Sequence, residues 1–251
     1  MTTAGQTLDE VRRLRERARS VAHGGAWFPV AVLAALVLLS IALYRHPFRQ
    51  VNESSGTSGW AGLPDPERSA VASYVFWLVG TPVAFALIGL WYRWHASRTG
   101  MRVPWRWFAV AGLGALAALV VIAAVPVDPA TLTARSELGA GRPGDLWLWA
   151  LRTPLLPIAV AVVVLGRVER SPALALAGVW LGLVSWWQHF YGMGRVAGWE
   201  TWLLSGGQAS GLGAEVGLLG LNRPGPILIV ATLPMLAFAV VRRPRSRGGA
   251  R

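Results

Sequence analysis

Six long apolar segments are the feature that most limits what this chain can fold into. The segments are 16 to 23 residues long, and the fourth and fifth have about the roughly 20 residues that a helix needs to cross the hydrocarbon core of a bilayer. None shows the strict alternation of a barrel strand, so helices are the only plausible spanning form. The sequence therefore predicts six transmembrane helices. They cover Trp27 to Tyr44, Ala70 to Tyr92, Trp107 to Val125, Leu146 to Gly166, Pro172 to Tyr191 and Pro226 to Val241.

The composition is typical of a small polytopic membrane protein. Of 251 residues, 54% are hydrophobic and 14% are charged, which is too apolar for a soluble domain, and the chain is too short for a large transporter. Cysteine is absent, which excludes disulfides, thiolate metal sites and cysteine nucleophiles. We expect an all-α fold that uses no metal and no cofactor.

The arginines set the expected orientation. The chain has no lysine, so its net charge of +12 comes from arginine. Basic residues are enriched in cytoplasmic segments, and here most arginines lie before the first run, between the second and third, between the fourth and fifth, and after the sixth. The sequence thus predicts a multi-pass protein of the cell membrane with both termini in the cytoplasm.

Three regions follow from this topology. Residues 1–25 are predicted to form a cytoplasmic basic amphipathic helix, which starts at a capping box made by Thr7 and Glu10. This helix either lies on the inner leaflet or a partner, or is a short solvated helix. Residues 26–241 form the six-helix domain, and residues 242–251 a basic cytoplasmic tail.

The external loop at 192–225 is apolar, although each of its apolar pieces is too short to cross a bilayer. Such a loop is either re-entrant or lies on the lipid surface. In the first case it would cover the outer end of the hairpin made by the fourth and fifth runs.

That hairpin holds the strongest candidate site. Arg152 lies inside the fourth run, and Gln188 and His189 lie near the end of the fifth, so an antiparallel pair of helices places all three in the outer leaflet. Glu200 and Glu215, in the apolar loop, are candidate counter-ions. The predicted ligand-binding residues are therefore Arg152, Gln188, His189, Glu200 and Glu215.

Arg152 has two interpretations. Near a helix end its guanidinium can reach the headgroups while its stem stays in lipid, and this structural role is the favoured one. If the side chain faces the bundle instead, it needs a partner or a wet cavity, which makes it a site residue. His189, beside Trp186 and Trp187, is likewise more typical of an aromatic belt at a membrane interface than of a ligand.

Small residues and prolines mark positions inside the runs. Gly178 and Gly182 form a GxxxG pattern, which lets helix backbones approach closely. A proline inside a span is expected to kink the helix or to leave a carbonyl without its helical partner. The prolines concerned are Pro82, Pro154, Pro157 and Pro234.

No motif points to an enzyme. The chain has no HExxH, no P-loop, no dinucleotide fingerprint and no pair of carboxylates inside the runs. Gln208 to Gly211 is similar to the serine motif of rhomboid proteases, but those enzymes need a histidine on a later helix, and none follows His189. The arginines and tryptophans from Trp91 to Trp107 are flanked by membrane spans, so we expect no nucleic-acid partner.

Two resemblances extend this interpretation. The first rests on AHGGAWFP (Ala22–Pro29), WAGLPDPERSAVASYVFW (Trp60–Trp77) and WYRWHASRTGMRV (Trp91–Val103), which look like uncharacterised six-span integral membrane proteins of high-GC Gram-positive bacteria. That resemblance implies the membrane class and no activity. The overall layout is also similar to permease subunits of ABC exporters, which implies a cytoplasmic ATPase as partner.

The sequence therefore predicts a non-enzymatic component of a transport or envelope-stress assembly, with the lipid bilayer and another membrane protein as its partners. Two alternatives stay open. One is the permease subunit of an ABC exporter, and the other is an intramembrane enzyme that acts on a lipid-linked anionic substrate held by Arg152.

Overall fold

The computed structural model describes residues 9–10, 25–44, 69–99, 105–124, 153–191 and 224–243. These residues are almost entirely helical, which confirms the all-α class for the described part of the chain. A 3-10 turn, Ser40–Leu43, extends the first helix. The six helices are α1 (Trp27–Leu39), α2 (Ala70–Thr99), α3 (Trp105–Ala124), α4 (Leu155–Val168), α5 (Pro172–Tyr191) and α6 (Gly225–Arg242).

Two of these helices are long and apolar enough to cross a bilayer, over Val71–Arg98 in α2 and Gly225–Arg242 in α6. The other four contain shorter apolar stretches within the described residues. The predicted N-terminal helix lies outside the described residues, apart from Asp9 and Glu10, which are helical and exposed. Most of the 192–225 loop and of the 242–251 tail also lies outside them.

Two predicted boundaries were wrong. The helix expected to end at Tyr92 continues to Thr99, so the segment from Arg93 onward is helical and not a loop. Its last turns are held by ring contacts of Trp91 with Trp94 and His95. The fourth run is not one continuous helix from Leu146, because Thr153 and Pro154 are not helical and α4 starts at Leu155.

The six helices close into a ring in chain order. Each helix packs against its neighbours in sequence, α6 packs against α1, and α1 also contacts α4 across the ring. Apolar side chains from all six helices form one buried core. Its largest fully buried members are Trp77, Leu119, Leu155, Leu174, Leu181, Leu228 and Met235.

Helices α4 and α5 approach each other closely in their hairpin, where glycines face the partner helix. A Cβ added to Gly178 would lie 2.7 Å from the backbone nitrogen of Val163, whereas one added to Gly182 would make only an ordinary contact at 3.5 Å. The predicted GxxxG pattern thus brings backbones together at its first glycine. The two helices are antiparallel, so a residue nearer the start of α4 faces a residue nearer the end of α5. The facing pairs are Gly166 with Ala175, Val163 with Gly178, and Ala159 with Gly182.

A tight turn joins the two helices of this hairpin. Arg170 has a φ of 52°, a left-handed conformation that side chains with a Cβ rarely adopt. The amide of Ser171 donates to the carbonyl of Gly166 at 2.8 Å, and the amide of Arg170 donates to that of Arg167 at 3.2 Å. This bond pattern is the Schellman motif, which normally has glycine at the left-handed position.

Replacing Arg170 by glycine should therefore stabilise the hairpin. Glycine removes the cost of the left-handed conformation, so we expect the free energy of unfolding to rise by about 1 kcal/mol. The matched control is Arg167→Gly, which places glycine inside α4 and should cost about 1 kcal/mol. Thermal unfolding in detergent measures both, and a loss of stability with Arg170→Gly would contradict this account of the turn.

The prolines act differently at different positions. Pro234 lies inside α6 and has no amide hydrogen for the carbonyl of Val230. The indole nitrogen of Trp180, on α5, donates to that carbonyl at 3.0 Å. Pro154 and Pro157, by contrast, were expected inside a span but lie at the start of α4, where the first amides have no helical partners anyway.

Candidate functional site

The described arginines collect at one end of the ring, which we call the basic end. They come from the last turns of α2, from the end of α4 and the turn that follows it, and from the end of α6. The N-terminus of α1 lies at the same end, because the indole of Trp91 donates to the carbonyl of Gly25 at 2.9 Å. The arginine side chains described at the basic end are those of Arg93, Arg98, Arg167, Arg170, Arg242 and Arg243.

A buried carboxyl group lies where the α4–α5 turn meets α2 and α6 at this end. Glu169, in the α4–α5 turn, is only 7% exposed. The phenol of Tyr92, on α2, donates a hydrogen bond of 2.7 Å to its Oε1 atom. Arg242, at the end of α6, lies near enough to favour the charged form of Glu169. The turn between α4 and α5 is thereby hydrogen-bonded to α2 and lies near the charged end of α6.

The environment of Glu169 sets its protonation. Burial raises the pKa of Glu169, because the charged form loses its hydration, and this is the largest effect. The hydrogen bond from Tyr92 and the charge of Arg242 act in the opposite direction, and the net pKa is above the ordinary value. The group is therefore able to hold a proton at a higher pH than an exposed glutamate can.

Aromatic rings surround the link between α1 and α2. The ring of Phe28 stacks on that of Trp91, with centroids 4.7 Å apart, and Trp27 meets Trp91 edge-on at 5.3 Å. The guanidinium of Arg98 lies 4.0 Å from the centroid of Trp94, a cation–π contact. These ring contacts hold the start of α1 against the last turns of α2 at the basic end.

Two residues of the sequence-predicted site, Gln188 and His189, belong to the opposite end of the hairpin. Gln188 and His189 are in the last turn of α5, but their side chains are outside the described residues. Thr153, which precedes α4, is fully buried, and its hydroxyl accepts from the amide of Leu155 at 3.3 Å. Continued six residues beyond the Ala159–Gly182 pair, the register of the hairpin would bring the Thr153 position opposite that of Gln188.

The remaining predicted residues cannot be placed. Arg152, Glu200 and Glu215 lie outside the described residues. Arg152 was expected inside a continuous helix, but Thr153 and Pro154, which follow it, precede the first helical residue, Leu155. The physical reason is the pair of prolines at the start of α4, which favour a helix start at this point.

The contact between Tyr92 and Glu169 was missed by the sequence reasoning, which took Tyr92 only as the end of an apolar run. One signal was present: Glu169 is the single acidic residue between the fourth and fifth runs, beside Arg167 and Arg170. An acidic residue in a short basic turn suggests a partner on another helix, but nothing in the sequence identifies Tyr92 as that partner.

Two further findings bear on function. Within the described residues, no group of three or more histidine, cysteine or acidic side chains could hold a metal ion. The chain matches no protein-family model, no curated protein and no solved structure.

Proposed function

We propose that the chain is a six-helix protein of the cell membrane, with both termini in the cytoplasm, that works as a non-enzymatic component of a transport or envelope-stress assembly. The observation that carries this proposal is the exposure of large apolar side chains along five of the helices, α2 to α6. Soluble monomers rarely expose apolar patches of this extent, whereas a bilayer or a partner covers them. Examples are Val79, Leu113, Val160, Leu176 and Val240.

The charge distribution supports the orientation. Every described arginine side chain lies at the basic end, and arginine-rich ends of membrane helices stay in the cytoplasm. Because the ends of α2, α4 and α6 and the start of α1 meet there, successive helices run in opposite directions. Six alternating helices place the N- and C-terminal segments on the same side.

Helix α3 supports a role in an assembly. Among its described side chains only Leu119 is buried, so α3 is the least covered helix of the ring. Its outward face carries Gly114 and Ala118, and a Cβ added to Gly114 would meet nothing within 4 Å. Small residues on a membrane helix let another helix approach closely. We assign this face to a partner membrane protein.

The outer end of the hairpin remains the proposed ligand site. The buried hydroxyl of Thr153, opposite the Gln188 position, supports a polar region there. If the register continued by one residue, Arg152 would come level with His189. The proposal assigns to Arg152, Gln188 and His189 the binding of an anionic ligand, with Glu200 and Glu215 as counter-ions.

Site-specific photo-crosslinking in the native membrane tests the assembly. A photoreactive residue at Val121, which is 62% exposed on the outward face of α3, should give one discrete adduct. The control is Leu233, which is 51% exposed on α6, across the ring from α3. Gly114→Leu should weaken the adduct at Val121, because the larger side chain holds the partner away. No adduct at Val121, or equal adducts at both positions, would contradict the proposal.

A further inference from the structure

A groove of about 670 Å³ runs between α2 and α3 on the outside of the ring. It is open along one side and is almost wholly apolar. Its walls are shaped by small residues of both helices, including Ala86 and Gly89 on α2 and Ala109 on α3. The ring of Phe85 lies directly over Gly112, where any side chain would collide with it.

The two ends of the groove differ in chemistry. Arg93, an exposed side chain, lies at the end that opens to the basic end of the ring and is the one charged residue of the lining. Thr81 and Pro82 lie at the other end, in the middle of α2. Thr81 is only 7% exposed, and its hydroxyl has no hydrogen-bond partner among the described residues. The groove therefore has one cationic mouth and one buried, weakly polar end.

The length of the groove fits one leaflet of a bilayer. From Arg93 to Thr81 the helix rises by about 18 Å, at roughly 1.5 Å per residue. Half of the hydrocarbon core of a bilayer is about 15 Å thick. With Arg93 at the level of the phosphates, an extended acyl chain would reach to the region of Thr81 at the bilayer midplane.

We infer that this groove binds an anionic phospholipid of the cytoplasmic leaflet, with one acyl chain along α2 and α3 and the phosphate beside Arg93. Charge complementarity selects this occupant: the lining offers a guanidinium at the headgroup level and apolar atoms below it. A guanidinium matches a phosphate well, since its donors can bind two oxygens at once. The inference rests on the proposed membrane orientation but not on any protein partner.

Lipid retention in nanodiscs tests the inference. The whole chain is reconstituted in nanodiscs of phosphatidylcholine with a minor fraction of phosphatidylglycerol. Native mass spectrometry then counts the lipids that stay bound after the protein is released from the nanodisc. We expect the wild-type chain to retain one phosphatidylglycerol in preference to phosphatidylcholine. Arg93→Gln should weaken this preference about fivefold, which is the effect of one arginine at an anionic surface. The matched control is Arg98→Gln, on the same helix but outside the groove.

A second pair of variants tests the apolar part. Ala86→Phe fills the groove and should abolish retention, whereas Ala72→Phe, an exposed position at the other end of α2, should leave it unchanged. The helical circular dichroism signal checks that each variant is folded. Equal losses with Arg93→Gln and Arg98→Gln would overturn the inference in favour of a diffuse surface charge. A wild-type dimer without lipid that becomes monomeric with Ala86→Phe would overturn it in favour of a second copy of the chain.

Discussion

Replacing Gly178 by alanine should lower the midpoint of thermal unfolding in detergent by about 2–12 °C. An added Cβ would lie 2.7 Å from the backbone nitrogen of Val163 and 2.9 Å from the carbonyl oxygen of Ala159. Backbone atoms cannot rotate away as a side chain can, so α4 and α5 must separate. Overpacking of this kind typically costs 1–3 kcal/mol, and about 2–4 °C is lost per kcal/mol in a chain of this size.

Two glycines of the same chain provide the controls. A Cβ at Gly182 would make an ordinary contact at 3.5 Å with Ala159, and one at Gly114 would meet nothing within 4 Å. Alanine is a better helix former than glycine by about 1 kcal/mol, so Gly182→Ala and Gly114→Ala should hold or raise the midpoint. If Gly178→Ala and Gly182→Ala behave alike, the close packing of the hairpin is not what stabilises it.

Removing the phenol of Tyr92 should destabilise the basic end. Tyr92→Phe keeps the ring but takes away the donor that binds the buried Oε1 of Glu169 at 2.7 Å. Leaving a buried acceptor without its hydrogen bond costs about 1–3 kcal/mol, and we expect a loss of that order. A double-mutant cycle with Glu169→Leu measures the coupling directly, because Tyr92→Phe should cost much less when the carboxylate is absent. Additive effects of the two changes would contradict a direct link.

The same pair predicts a pH dependence. Burial raises the pKa of Glu169 above its ordinary value of 4.5, so the folded chain binds this proton more tightly than the unfolded chain. The contribution of Glu169 to stability is therefore largest below about pH 4.5 and is lost as the pH rises through the raised pKa. Glu169→Gln removes this titration. The stability of wild type relative to Glu169→Gln should fall as the pH rises above 4.5, and a constant difference between their unfolding midpoints would show that Glu169 has the same pKa in the folded and unfolded chain.

The helices were the part of the fold that the sequence could predict. Long apolar runs have few alternatives, and α5 has the bounds that its run predicted, Pro172–Tyr191. The predicted end of α2 was wrong. Hydropathy falls at Arg93, but the helix continues to Thr99, and contacts of the Trp91 ring with Trp94 and His95 stabilise its last turns. Local composition shows where an apolar run ends and not where helical hydrogen bonding ends.

The contacts between helices could not be predicted in the same way. Gly178 and Gly182 look equivalent in the sequence, yet only Gly178 faces a backbone, because the crossing point is set by the whole ring. The partner of Glu169 is a tyrosine 77 positions away on another helix. The unusual conformation of Arg170 was equally hidden, since the turn length and not the residue type demands it. The predicted site at Arg152, Gln188 and His189 stays a prediction.

The central claim is that the basic end of the ring lies in the cytoplasm. Since the chain has no cysteine, one serine-to-cysteine change gives one thiol to label. Ser97 is exposed at the basic end of α2, and Ser69 is exposed just before the other end of that helix. A membrane-impermeant maleimide applied to intact cells should label Ser69→Cys at once and Ser97→Cys only after the membrane is opened. Labelling of Ser97→Cys in intact cells, with Ser69→Cys protected, would contradict the account.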